Sequence, residues 1–228
     1  VDVTATDTVS GIQKVNFPTL ATGFLPTSTD DTVPAYTQTY SWDTSATTGP
    51  GAKSATVTSN SGLTNTCGFT VTRDVTAPAS VSITYATQYL TSVSTKAALT
   101  VSDGTETGGA GIDTATRKLQ RASSPLSGGT CTSYGSFADT TYTATYPDIT
   151  DTGTMTDAYC YKYRWLVSDY VGNTATYTIE NDVKYDTTQP TAPTPSVSES
   201  SANIYFASGA KTLYYKTPGS SQTFDVSA

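Results

Sequence analysis

The side chains able to do chemistry are 19 carboxylates, 12 lysines and arginines, three cysteines and a run of hydroxyls, with no histidine at all. Without imidazole there is no His-based acid–base pair, no Ser-His-Asp triad and no histidine metal ligand. No phosphate loop, zinc-ligand spacing or nucleophile elbow occurs. Asp30-Asp31 and the pair Asp148 and Asp151 have the residue types of a glycosidase. Acids in such turn-rich sequence are expected to be solvated instead, so the chain is read as a non-enzyme.

Carboxylates also bind hard cations. Asp7, Asp74, Asp103, Asp169 and Asp186 fall at turns or linkers, where oxygen ligands could gather around calcium. The competing role is to cap turns through Asx hydrogen bonds. No EF-hand-like loop is present, and no metal ligands and no cofactor are assigned. Cys131 and Cys160 fall in one stretch and are expected to form a structural disulfide, the alternative being two reduced buried thiols. Closing a loop of about 30 residues would contribute roughly 3 kcal/mol in the chain-entropy model. Cys67 is left as a free thiol or one that pairs elsewhere. Disulfide use implies a secreted protein. The 16 tyrosines are expected mainly in cores and cross-strand pairs, with sugar stacking as the other use.

The elements that must position these groups are strands. Serine and threonine make up about a third of the chain, and only 14% is charged, a composition that disfavours helix interiors and favours an all-β fold. The clearest stretch is Cys160 to Asp169. Alternation there puts Tyr161, Tyr163, Trp165 and Val167 on one face and Cys160, Lys162, Arg164 and Leu166 on the other. Gly172-Asn173 supplies a tight turn, and the returning arm is expected to run to the prolines after Asp186. A net charge of −7 argues against nucleic acid as a partner. No apolar run approaches the 18 or so residues of a membrane span, and no basic amphipathic stretch is present.

Two sections of the chain match each other. Val57 to Thr66 aligns without gaps on Val167 to Thr176, and each is followed by a β-rich run and a linker, Asp74-Val-Thr-Ala-Pro78 or Asp186-Thr-Thr-Gln-Pro190. Asp7 to Ile12 corresponds to Asp103 to Ile112, with an insertion in the second copy. The linkers lie about 110 residues apart, the length of one β-sandwich. The last residues, Phe224-Asp-Val-Ser-Ala228, repeat the first, Val1-Asp-Val-Thr-Ala5. The expected domains are therefore 1–75, a sandwich without its opening strands; 76–189, a complete one; and 190–228, the opening strands of a further one or strands donated to a neighbouring copy. Val1 opens directly in strand-like sequence, as expected of a processed start or of a segment of a longer chain.

Gly11-Ile12, Gly111-Ile112, the Ser168-Asp169-Tyr-Val-Gly172-Asn173 hairpin and the Asp-x-Thr-x-Pro linkers resemble bacterial immunoglobulin-like repeats of large secreted or cell-surface proteins. Ser127 to Cys131 together with Cys160 to Arg164 resembles the disulfide-bearing member of an alternating pair of such repeats. The resemblance implies tandem immunoglobulin-like sandwiches and an extracellular structural, adhesive or spacer role. It also implies that calcium can stiffen the joints and that the partners are neighbouring copies of the repeat or host-surface or glycan ligands; the want of a long apolar run leads to the expectation of no direct membrane insertion. The second function to weigh is a non-catalytic, glycan-binding module of a large secreted enzyme.

Overall fold

The computed structural model describes residues 1–85, 88–143, 145–198, 203–217, 220 and 223–227. The fold is all-β, with no helix among the described residues. The N-terminal region contains β1 (Asp2–Val3), β2 (Ile12–Phe17), β3 (Phe24–Leu25), β4 (Thr29–Asp31), β5 (Tyr36–Thr37), β6 (Ser41–Trp42), β7 (Gly51–Ser59) and β8 (Thr64–Val71). The central region contains β9 (Ser82–Thr84), β10 (Tyr89–Leu90), β11 (Ala98–Ser102), β12 (Ile112–Ser127), β13 (Thr130–Cys131), β14 (Ala138–Asp139), β15 (Asp148–Thr150), β16 (Tyr159–Asp169), β17 (Thr174–Thr178) and β18 (Val183–Tyr185). The C-terminal strands are β19 (Ser196–Ser198), β20 (Ile204–Ala207), β21 (Thr212–Tyr215) and β22 (Asp225–Ser227).

In the central region a three-stranded sheet, β15-β11-β9, faces a larger one ordered β10-β18-β16-β12-β13, with β17 on β16 and β14 on β12. One core lies between them, joining Ile83, Leu99, Val101 and Ile149 of the first sheet to Tyr161, Tyr163, Trp165, Val167 and Tyr185 of the second. The period-two pattern of β16 is what places Tyr161, Tyr163, Trp165 and Val167 on that face. Each large aliphatic side chain so buried contributes about 1.5–3 kcal/mol. The edge-on packing of Tyr142 against Trp165, with ring centroids 5.5 Å apart, adds about 0.5–1.5 kcal/mol. Two buried aspartates in this core have partners. Asp151 accepts from Arg121, Thr140, the Tyr163 hydroxyl and the Gly153 N–H. Asp103 accepts from Arg117 and from the Trp165 indole.

One feature of this region differs from the sequence expectation. The arm after the Gly172 turn leaves β16 at Thr178, and the chain returns as β18 to pair with Tyr159–Tyr161 farther along the same edge. Thr174–Thr178 and Val183–Tyr185 are thus separate strands sharing one edge of β16. Cys160, on the outward face of β16, is fully buried. The long strand β12 turns over that face into β13, and a disulfide joins Cys160 to Cys131 with Cα atoms 5.9 Å apart. Disulfides persist in oxidising surroundings.

The N-terminal region repeats part of this plan. Its sheet is ordered β4-β2-β7-β8, and β1 pairs with β5. The smaller core holds Val3, Val15, Phe17, Tyr36 and Ala55. Farther along, β19 pairs with β22 and β20 with β21.

Candidate cation site at the joint after β8

Three carboxylates from three different elements converge where the N-terminal region passes into the central one. Asp74 lies in the extended linker after β8, Glu106 in the loop between β11 and β12, and Asp169 is the last residue of β16. One oxygen from each lies within 4.8 Å of the others. No lysine or arginine forms an ion pair with any of them among the described residues.

Each acid is held by local backbone. Asp169 stays in place because the Gly172 turn aims its amides inward. Oδ1 accepts from the Val171 N–H (2.9 Å) and the Asn173 N–H (2.8 Å), and Oδ2 from the Asn173 side chain (2.7 Å). Burial alone would raise this carboxyl, but the donors from Asn173, Val171 and Gly172 outweigh it and hold it below the usual range. Asp74 Oδ1 accepts from the Thr76 N–H (3.0 Å) and hydroxyl (2.9 Å), forming the Asx turn that opens the linker. Asp74 Oδ2 accepts from the Ala110 N–H at 2.6 Å, tying the linker to the following loop. The Thr76 and Ala110 backbone donors lower the Asp74 carboxyl to about 2.

Glu106 is the exception. Both of its oxygens are shut off from solvent, and neither meets a donor. Loss of solvation first, then proton sharing with Asp74 and the charges of Asp74 and Asp169, push this carboxyl above the usual range. The Ala110 N–H, committed to Asp74, offsets that push only weakly. The loop lies close over the carboxylates at Gly109. A Cβ added there would land on Glu106 Oε1 and lie 2.7 Å from Asp74 Oδ2, so any side chain at this position displaces the two acids from their present approach. Three anionic groups with one orphaned carboxylate form an all-oxygen donor set. That is the chemistry of a hard divalent cation such as calcium, rather than of zinc or copper, which favour nitrogen and sulfur.

Of the five aspartates that the sequence places at turns, the structure unites Asp74 and Asp169. Asp7 caps its own turn through the Val9 and Ser10 N–H groups. Asp103 is committed to Arg117 and Trp165. Asp186 accepts from the Thr188 N–H in an exposed Asx turn, the counterpart of Asp74 at the next linker. Glu106 was missed. Its signal was an acid inside the glycine cluster of the second-copy insertion, Gly104 to Gly111, where backbone is free to approach closely. The two acid pairs considered for hydrolysis lie elsewhere. Asp30 binds Lys14 and Asn16, Asp31 accepts from the Val33 and Thr37 N–H groups, Asp148 accepts from Thr100, and Asp151 is buried in its own network. Cys67, on β8, is exposed and carries a free thiol. No protein-family profile and no curated protein matches the chain.

Proposed function

We propose that the chain is a building block of an extracellular filament, stalk or repetitive surface adhesin. In this reading it is made of tandem immunoglobulin-like β-sandwich repeats and works mechanically. Residues 76–189 form a whole sandwich, 1–75 the larger part of one, and 190–228 the start of another. The supporting observation is the joint. A linker carboxylate, Asp74, is drawn onto Glu106 and Asp169 of the region it leads into, where a divalent cation would convert three repelling charges into a clamp. Such a clamp fixes the angle between successive repeats, as an extended load-bearing array requires. The disulfide fits the same setting.

The test is thermal unfolding of the chain in calcium and in chelator. Calcium should raise the transition by several degrees, since a ligand at about 100 times its Kd contributes about 2.7 kcal/mol. Asp169→Asn should lose most of that gain while keeping the turn-capping oxygen. Identical transitions in calcium and chelator would remove the clamp from the proposal. A second reading, a glycan-contacting spacer of a larger secreted enzyme, draws on the stacked and exposed pair Tyr205 and Tyr214, whose rings lie 6.4 Å apart. Glycan-array binding lost on Tyr214→Ala would favour it.

A further inference from the structure

The N-terminal region carries an open groove at the position where the central region holds a strand. The correspondence is fixed by hydrogen bonds. The Gln38 N–H donates to the Val1 carbonyl at 2.9 Å, as the Asp151 N–H donates to that of Ala97 at 3.1 Å. Val3 pairs with Tyr36 as Leu99 pairs with Ile149. On this register β1 is the counterpart of β11 and β5 of β15. In the central region the other edge of β11 is taken by β9, whose Ile83 is buried with Val167 in one core. Among the described residues β1 pairs with β5 alone. Because Val1 and Gln38 bond in both directions, the N–H groups of Asp2 and Thr4 point to the open edge.

Next to that edge is a groove of about 390 Å³ lined by Thr6, Ile12, Val57, Leu63 and Asn65. The counterparts of Ile12, Val57 and Asn65 are Ile112, Val167 and Ala175, which belong to or pack against the central core, Val167 and Ala175 on the two strands that β9 lies against. Val167 is wholly buried, whereas Val57 is half-buried and Leu63 is 75% exposed. The chain contains a second strand of the β9 type. β19 follows the second linker as β9 follows the first, and Val197 pairs with Val226 in an antiparallel ladder like that of Ile83 with Val101. Val226 is 62% exposed.

We infer that this edge and groove receive β19 from a neighbouring copy of the same sequence. The strand exchanges β22, within residues 224–228 that repeat residues 1–5, for β1; it adds antiparallel to β1 and places Val197 over Val57 and Ile12. Assembly is then head to tail and, because the donor and acceptor surfaces differ, does not close on a pair. The inference rests on the repeat organisation proposed above, but not on the cation.

The test uses hydrogen–deuterium exchange of the full chain, dilute, with and without an excess of a synthetic peptide of residues 190–228. Exchange at Asp2 and Thr4 should slow by at least about tenfold with the peptide. A peptide carrying Val197→Asp should have no effect. Thr4→Pro in the chain removes the edge donor without touching the bonds to β5, and should abolish the slowing while keeping the wild-type melting point and its response to calcium. Unchanged exchange with the native peptide overturns the inference. So does slow exchange in the dilute chain that added peptide leaves alone, which would mean that its own tail fills the groove. Neither result bears on the clamp, which the calcium response reads separately.

Discussion

The hairpins β7–β8 and β16–β17 are built alike and do different things. In the first, the Ser59 N–H donates to the Leu63 carbonyl, the Gly62 N–H to that of Ser59, and the Asn60 N–H to that of Gly11. In the second, Asp169 bonds to Asn173, Gly172 to Asp169, and Tyr170 to Gly111 in the same pattern. Ser59 Oγ even accepts from the Leu63 N–H, as Asp169 Oδ1 accepts from that of Asn173. Either side chain satisfies the turn. Only the aspartate leaves charge over, and only the central region has a glycine-rich loop carrying a glutamate to meet it. A backbone solution shared by both regions has been turned into a candidate site in one of them by a single residue type and a short insertion.

The largest difference between the regions is in their cores, and Trp165→Ala should expose it. Two residues upstream of the matched stretches, and in the same hairpin register, Trp165 stands opposite Ala55. Replacing the buried tryptophan should cost about 3–5 kcal/mol and separate a weakened central transition in denaturant from an unchanged N-terminal one, followed by near-ultraviolet circular dichroism. Reduction of the disulfide, or Cys160→Ser, should cost about 2–5 kcal/mol in the central region and leave the N-terminal region, which the disulfide does not touch, with its midpoint. A single transition that moves as a whole in both experiments would mean that the regions fold as one unit.

The next effect is electrostatic and has a definite sign. Asp74, with its carboxyl lowered to about 2, supports the folded state above about pH 4 and withdraws that support as pH falls through its folded value. Glu106, raised, acts in the opposite sense: its contribution favours the fold at low pH and is lost as pH rises through its elevated value, above the usual 4.3 or so. In chelator at neutral pH, Glu106→Gln should therefore raise the melting temperature, and in calcium it should remove most of the cation-dependent gain. A lower melting temperature in chelator would mean that Glu106 is held by partners other than its acidic neighbours. The smallest effect belongs to Ser59→Asp. The turn accepts an aspartate, but with no glutamate-bearing loop beside it the N-terminal region should gain no response to calcium in the same melting assay.

The alternation around Trp165, the turn at Gly172 and the match between the two hairpins were legible because each rests on short-range geometry: a period of two, a positive φ, a fixed hydrogen-bond pattern. The burial of Cys160 was not, since it depends on the segment after the 16-residue β12, which brings Cys131 onto Cys160 and lays Tyr134 and Phe137 against Lys162 and Arg164 of the same face. The break between β17 and β18 was missed because both segments are rich in residues that suit strands, and pairing partners rather than propensity decide where one ends. At the candidate site, Asp74 and Asp169 stood out because linker and turn residues recur at matching places. Glu106 occurs in one copy only, inside the insertion, where repetition gives no help.

One feature of the central region bears on how it would carry tension. Its entry, at Asp74, lies beside Asp169 at one end of β16, and its exit, through Tyr185 and Asp186, lies beside Tyr159 at the other. A pull between neighbours would run lengthwise along an 11-residue strand, loading its ladders with β12, β17 and β18 in shear. Bonds stressed side by side share the force, whereas bonds unzipped from one end fail in turn. In the proposed array, chain entry and exit at opposite ends of the central strand would make this region the stiff link under extension.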